Sequence, residues 1–514
     1  MNATADNPGE LKVLVVIGHP RAGSFCEALA DAYLSGLPAE ITSRRLSLAD
    51  HEFDGDVRTY SPRDQALDPT LRDAQTLFEW ADHLVFVFPT WWGMLPARLK
   101  GLLDRVLMPE FAFREIDGRY EPLLTGRTAH LITTMDTPIW VYRFIYYSPG
   151  VRALSLATLG FCGIKPVEVS RIGPVKPSTL AQRTRWLEQM KAEGERVPAW
   201  RARVRRRAAA WSWFKLVRLQ FYAMTMLAYG LGAARAASFA GLPIRWPVCL
   251  LGFATLFLIE LASVLTNELH DVPSDERNAK FGPFNGGSRV LVNGELNPLR
   301  VRQIRNAVAG FSALLAVTLV LLLAPAVRLP TTILLALGFV LGLGYTAPPL
   351  RLCWRGWGEA NVAITHSIYM VLCGWVLQAA SASALFPWAV SLPMGLAIFA
   401  SILLAGISDV DADRAAGKRT LVVRIGPRTA GYLAFGSLLA AAATALSFLL
   451  AARTAPGLVA MVLFSAHIAL VLTLLARYCL HYGDCRRIDG LLASSLSVIL
   501  WFSLYPLLNL QALR

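Results

Sequence analysis

The sequence predicts two domains of different class: an α/β parallel-sheet domain over residues 1–190 and an all-α polytopic bundle of nine transmembrane helices over residues 216–514. Three observations lead there. Hydrophobic residues make up 54% of the 514-residue chain, more than the ~45–50% of an ordinary soluble protein. The excess lies after about Lys215, where long apolar runs are broken by short charged loops. Before it, short apolar runs alternate with helix-like segments, as in a parallel sheet covered by helices on both faces.

The start of the chain, MNATADNPGELK, has no apolar core of the kind a cleavable signal needs. Val13–Ile17 predicts a first strand, followed by a Gly/Pro/Ser loop and a helix over about Phe25–Ser35; His83–Phe88 and Ala129–Thr133 predict two more strands. Ligands of such sheets bind at the carboxyl ends of the strands, so the three following loops are the places for a site. The first runs Gly18-His-Pro-Arg-Ala-Gly-Ser24-Phe25, where backbone N–H groups at a helix N-terminus, with Arg21 and Ser24, suit an anion. The second contains Thr90, Trp91, Trp92 and Met94. Two adjacent tryptophans are poorly placed to share one core face and suit contact with a flat ring. Seven scattered cysteines form no Cys-x-x-Cys pattern, which fits a cytosolic domain without a disulfide framework.

The second loop, with Pro96-Ala-Arg-Leu-Lys100-Gly-Leu-Leu-Asp104-Arg105 after its aromatic pair, resembles that of the flavodoxin-like NAD(P)H:quinone oxidoreductases, and GHPRAGSF resembles their phosphate loop. The resemblance covers about residues 11–185 and implies FAD or FMN with NAD(P)H as reductant. By position, His19, Ser24 and Phe25 would contact the phosphate end, and Thr90, Trp91, Trp92 and Met94 the isoalloxazine. The third loop departs: Thr133-Thr-Met-Asp-Thr137 stands where the family often has Thr-Thr-Gly-Gly. The domain also resembles ancillary subunits of potassium efflux systems, so a regulatory, non-catalytic role stays open.

Residues 191–215 predict a basic, tryptophan-rich juxtamembrane linker. Arg201, Arg203, Arg205, Arg206, Arg207, Lys215 and Arg218 interleave with Trp200, Trp211 and Trp213 just before the first apolar run. That placement suits anionic lipid headgroups, and it accounts for the +14 net charge without nucleic acid. Nine apolar segments follow, near 219–240, 247–266, 304–325, 330–346, 359–380, 386–406, 430–452, 457–476 and 490–511. Arg and Lys concentrate in the loops after the even-numbered segments, which places those loops and the N-terminal domain in the cytoplasm of an inner or cell membrane protein.

Two of these loops are acidic and patterned. Asn267, Asp271 and Asp275 lie at four-residue steps, as do Asp409 and Asp413, so each set shares one helix face; Asp411 falls off that face. One such set alone could cap a helix or pair with loop arginines. Two on the same side suit Mg²⁺ completed by water and phosphate oxygens, with Arg277, Lys280, Lys418 and Arg419 near enough in sequence to hold diphosphate.

NELHDVPSDERN, GPFNGGSRVLVNGEL, GYTAPPLRLCWRGWGEA and SDVDADRAAGKRTLVVRIG together resemble the UbiA prenyltransferases, in the branch containing 1,4-dihydroxy-2-naphthoate prenyltransferase. The resemblance implies Mg²⁺-dependent transfer of a prenyl group from an allylic isoprenoid diphosphate to an aromatic or quinone-like acceptor. Asn267, Asp271, Asp275, Asp409 and Asp413 would be metal ligands, and Tyr345 would face the allylic cation. Pro273 departs from the motif and predicts a bent turn at Asp275. Cyclisation of the isoprenoid without an acceptor is the alternative chemistry. Since a quinone resists attack by a cation and its hydroquinone invites it, the flavin domain is expected to reduce the acceptor.

Overall fold

The computed structural model describes residues 11–116, 119–278, 281–282, 286–378, 388–451, 458–482 and 488–508. It divides into two compact units, Met1–Ala208 and Ala209–Arg514. The division falls inside a helix, Val197–Val217, within the stretch expected to be a linker.

Among the described residues, the first unit holds seven strands: β1 (Lys12–Ile17), β2 (Thr42–Ser47), β3 (His83–Pro89), β4 (Phe113–Ile116), β5 (Arg119–Pro122), β6 (Thr128–Thr134) and β7 (Val167–Ile172). Five form a parallel sheet in the order β2-β1-β3-β6-β7, and β4 and β5 make a separate hairpin. Side chains alternate across the sheet at period 2. Val13, Val15, Ile17, Val85 and Val87 pack under the Phe25–Ser35 and Leu180–Glu195 helices. Leu14, Val16, Leu84, Phe86 and Phe88 pack under the Pro69–Trp80 and Ala97–Val106 helices. Burial on both faces explains why the inner strands read as unbroken apolar runs. The outer strands did not stand out in the sequence: β2 is TSRRLS, with its first four residues exposed, and β7 is VEVSRI. Because β1 turns left to β2 and β3 starts the other half, the loops after β1 and β3 flank the point where strand order reverses, which is the expected ligand crevice.

The second unit is helical. Eight of its helices are long and apolar enough to cross a membrane, among the described residues: Trp246–His270, Pro298–Leu322, Pro325–Leu343, Gly358–Gln378, Val390–Ala415, Pro427–Ser447, Val459–Leu480 and Asp489–Leu507. The first of the nine expected segments forms a helix, Tyr222–Ala240, whose Gly/Ala-rich sequence with Arg235 falls short of an apolar span. It still belongs to the bundle core through Ala228, Tyr229, Leu231 and Ala233. Two glycines allow that packing. A Cβ on Gly232 would lie 2.0 Å from Val371 O, and one on Gly374 would lie 2.0 Å from Tyr229 O. Small residues bring helix backbones this close in membrane bundles. Gly232→Val is therefore expected to destabilise the detergent-solubilised protein by roughly 1–3 kcal/mol, the usual cost of overpacking, measurable as a lowered Tm. Leu314, Leu321, Leu322, Leu463 and Leu470 are exposed on outer helices, where hydrocarbon suits them better than water.

The basic stretch before the bundle is only partly a surface feature. Arg201 is 6% exposed and donates to Asp82 O and to Thr128 Oγ1 (3.3 Å), within the first unit. Lys215 pairs with Glu295 and Arg218 with Glu268, inside the second. Arg203, Arg205, Arg206 and Arg207 remain exposed. Trp200 packs edge-on against His83, whereas Trp211 is exposed and stacks on Phe214.

Candidate functional sites

The Trp246–His270 helix ends at Asp271, which also begins a short helix, Val272–Glu276. Pro273 sits in the first turn of that second helix, where its missing N–H has no partner to lose. The proline therefore produces the expected bend without breaking the line of carboxylates. Asp275 N donates to Asp271 O at 2.9 Å, so the four-residue step is kept across the bend. Asp409 and Asp413 lie one turn apart near the end of the Trp388–Ala415 helix.

Asn267, Asp271, Asp275, Asp409, Asp413, Tyr345 and Lys418 all line one cavity of about 320 Å³. Lys418 joins the two acidic motifs: its Nζ lies 2.9 Å from Asp271 Oδ2 and 3.7 Å from Asp413 Oδ1. Asn278 joins them again, donating to Asp409 Oδ1 at 2.7 Å. Thr346 Oγ1 donates to Asn267 Oδ1 at 2.9 Å. Gly287 has φ +68°, and a Cβ there would stand 1.9 Å from Asp275 Oδ2, so only glycine lets this loop close over the carboxylate.

The electrostatics call for added positive charge. Burial, then repulsion from Asp271 and Glu268, pushes the Asp275 carboxyl up to about 8. Burial would lower the Lys418 ammonium, but Asp271 and Asp413 hold it well above its ordinary value. Asp271 Oδ1 is buried and has no hydrogen-bond partner, which leaves an oxygen ready for a cation. Among the described residues, no three acidic, His or Cys side chains converge tightly enough to enclose an ion. Each motif thus offers one or two oxygens, a donor set that fits a hard cation completed by water and diphosphate rather than a protein cage.

Two expected diphosphate ligands are not at the cavity. Arg277 is exposed and turns back to donate to Pro273 O. Arg419 is exposed, with its backbone N–H on Trp354 O, while the adjacent Lys418 is buried. Adjacent residues in that turn project apart, and Lys418 takes the inward position. Lys280 lies outside the described residues. Asp411 is exposed, off the shared face. Sequence reasoning passed over Asn278, Gly287 and Glu268. Glu268 is buried and accepts from Ser288 N (3.0 Å) and Ser288 Oγ (2.6 Å). All three belong to the same motif segments; Glu268 and Asn278 stand three residues from Asp271 and Asp275, which was the available signal for those two.

In the first unit, the loop after β3 is a tight turn closed by two 2.9 Å bonds, Trp91 N to Met94 O and Met94 N to Trp91 O. Gly93 O accepts from Tyr142 Oη (3.1 Å) and Gly150 N (3.0 Å), which pins the turn from behind. Trp91 is 46% exposed and meets the His19 ring edge-on at 5.6 Å. Trp92 is fully exposed and left-handed (φ 52°). A bulky residue bears a cost on both counts, the pattern of a functional position. His19 and Trp91 thus meet beyond the carboxyl ends of β1 and β3, and Trp92 and Met94 are exposed on the same turn as Trp91.

Other expected contacts are taken up internally. Thr90 Oγ1 bonds Thr133 Oγ1 (2.6 Å) and Thr90 N donates to Thr134 O, so Thr90 positions the turn. Phe25 packs on Trp186 in the core. Ser24 caps its helix by accepting from Glu27 N, and Glu27 Oε2 accepts from Gly23 N at 2.6 Å. A flavin phosphate would have to displace the Glu27 carboxylate, so the ring end of the crevice fits a flavin better than the phosphate end does. Met135, which replaces a family glycine, is 4% exposed and buried in the core, leaving the third loop's backbone uncovered by it.

The geometry defines a polytopic membrane protein with an acidic cavity in its bundle, joined to a flavodoxin-like α/β unit. Residues 223–488 match the model of the UbiA prenyltransferase family, and residues 11–193 match that of the flavodoxin-like fold. The chain belongs to the UbiA prenyltransferase family and is an integral membrane protein with an added NAD(P)H:quinone-oxidoreductase-like domain. That domain is 32% identical over 185 residues to ribosyldihydronicotinamide dehydrogenase [quinone] of Homo sapiens, covering 30% of this chain and 78% of the relative. It is 32% identical over 142 residues to an FMN-dependent NADH:quinone oxidoreductase of Ruegeria pomeroyi, covering 24% of this chain and 69% of that relative. A solved NAD(P)H:quinone oxidoreductase from Methanothermobacter marburgensis aligns at 21% identity with a TM-score of 0.32, covering 36% of this chain and 97% of that one.

Proposed function

We propose that the membrane unit transfers a prenyl group from an allylic isoprenoid diphosphate to an aromatic hydroquinone, and that the N-terminal unit makes that hydroquinone from the quinone. The observation that carries the first half is the meeting of both acidic motifs and Lys418 on one cavity. Mg²⁺ held by Asp271, Asp275, Asp409 and Asp413, with Asn267 nearby, would supply charge withdrawal from the diphosphate. Lys418 would bind the same anion, and Tyr345 would present a neutral ring wall beside the departing carbon. The apolar part of the cavity wall, including Leu256, Ile259, Ile398 and Leu496, excludes water from a cation that water would quench.

The N-terminal unit would bind FMN or FAD against Trp91, Trp92 and Met94, supplying hydride transfer from NAD(P)H to a quinone. Trp91→Ala is expected to cost about 1 kcal/mol of ring contact and to weaken flavin retention several-fold, with the fold kept because the side chain is half-exposed. Flavin fluorescence after dialysis reads this. The charge bias of the loops favours a cytoplasmic site, and the resemblance of GPFNGGSRVLVNGEL favours a naphthalenoid acceptor. Tethering on one chain keeps an oxidation-prone hydroquinone at raised local concentration.

The test incubates the purified full-length protein with Mg²⁺, geranyl to geranylgeranyl diphosphate and menadiol. Prenylated menadiol detected by mass spectrometry supports the reading. Release of a cyclised hydrocarbon with no prenylated menadiol would replace it with a cyclase.

A further inference from the structure

Deep in the same cavity lie ionisable groups that diphosphate chemistry does not use. Glu260 sits within the apolar Trp246–His270 helix, with its side chain 10% exposed. Its Oε1 accepts from Thr225 Oγ1 at 2.9 Å and lies 3.6 Å from His366 Nε2. Its Oε2 is buried with no hydrogen-bond partner. Glu260, His366 and Thr225 all line the cavity. His366 is carried on a π-helical turn, Thr365–Tyr369, a local widening that often marks functional positions. Thr365 Oγ1 lies 2.7 Å from Asn361 O and 2.9 Å from His366 Nδ1, near enough to donate to the ring nitrogen and leave Nε2 as the N–H that faces Glu260.

An acid and an imidazole inside a membrane helix bundle are costly and ordinarily serve a function. Their position suggests which. Glu260 and Asp271 are on one helix and one cavity wall, and at 1.5 Å per residue they stand ~16 Å apart along it. A diphosphate at the aspartates, its allylic carbon, and one hydroxylated aromatic ring span a gap of that order.

We propose that Glu260, paired with His366, is the acceptor subsite: Oε2 takes the hydrogen bond of a phenolic hydroxyl and receives its proton during transfer. This rests on the prenyl-transfer reading above. The ring carbon beside that hydroxyl bonds to the allylic carbon as the C–O bond breaks, and its electron pair leaves with the diphosphate. The hydroxyl proton passes to Glu260 as oxygen feeds electrons to the ring, with His366 Nε2–H facing Oε1 and stabilising the carboxylate beforehand. Loss of the ring C–H proton to diphosphate and return of the proton from Glu260 restore the hydroquinone. No electrons are gained or lost, and one proton departs with the diphosphate. The subsite therefore selects a hydroquinone or phenol over a quinone or an aryl ether.

The test compares wild type, Glu260→Gln, Glu260→Asp and His366→Gln as full-length protein in detergent. Menadiol and its monomethyl ether are the acceptors, and geranyl S-thiolodiphosphate with Mg²⁺ is the donor-site probe. Glu260→Gln should lower kcat/KM for menadiol about 100-fold, as loss of a proton acceptor does. It should also bind the thiolodiphosphate as wild type does, and lose the preference for menadiol over the ether. Glu260→Asp should recover part of the rate, and His366→Gln should lower it about 10-fold. A Glu260→Gln enzyme that keeps menadiol turnover near wild type overturns the assignment. So does one that loses thiolodiphosphate binding in parallel, since Glu260 would then be scaffold. If wild type prenylates neither acceptor, the prenyl-transfer reading fails first and takes this subsite with it.

Discussion

Asp271→Ala is expected to abolish prenyl transfer, with a fall of at least about 10³-fold in kcat, and to leave unchanged the NAD(P)H-dependent menadione reduction proposed for the N-terminal unit. The size follows from the position. Asp271 is the carboxylate that Lys418 contacts, and its other oxygen is buried without a partner. Removing it would take away a proposed cation ligand and leave Lys418, among the described residues, with the 3.7 Å contact to Asp413 as its remaining ion pair. Electrostatic groups aimed at a leaving anion are commonly worth 10²–10³ each, and here one residue contacts the lysine and would also hold the cation. The reductase readout separates this from general misfolding, because the two units are compact in themselves. A parallel loss of both activities would mean that Asp271 holds the protein together instead.

Lys418→Met is the second large effect. Lys418 is the buried cation between Asp271 and Asp413, held charged by both against the cost of burial. Methionine keeps the length and removes the charge, so Asp271 and Asp413 both lose the ammonium they share. Breaking a buried ion pair from one side costs ~3–5 kcal/mol. The expected result is a lowered Tm without Mg²⁺, partial recovery of Tm on adding Mg²⁺ and diphosphate, and loss of transfer by about 10²–10³-fold. Arg419→Met, by contrast, should stay within about threefold of wild type, because Arg419 is exposed and its side chain is not part of the cavity wall. Equal damage from both substitutions, read as kcat/KM for the allylic diphosphate, would show that burial is a poor guide to which of these neighbours binds it.

Much of this was legible from the residues. The inner strands are apolar on both faces and announce themselves, whereas β2 and β7 lie at sheet edges, where burial demands less, and carry Arg, Ser and Glu. The aspartates stood out because helical periodicity turns a four-residue step into a shared face. The same periodicity says nothing about the turns after those helices, where Arg277 turns back to Pro273 O and Arg419 is exposed. Arg201 read as a headgroup ligand, but its guanidinium closes the ends of β3 and β6 at Asp82 O and Thr128 Oγ1. Glu260 and His366 carried a signal that periodicity does not use: a charge inside an apolar run is worth questioning for that reason alone. Gly287 shows its role only when the distance to Asp275 is measured.

The most direct measurement gives the purified full-length protein Mg²⁺, an allylic diphosphate and menadione, with and without NAD(P)H, and follows products by mass spectrometry. Prenylated menadiol formed with NAD(P)H, absent without it, and absent from Asp271→Ala is the predicted result. Equal product without NAD(P)H, or none even when menadiol is supplied ready-made, would contradict the account.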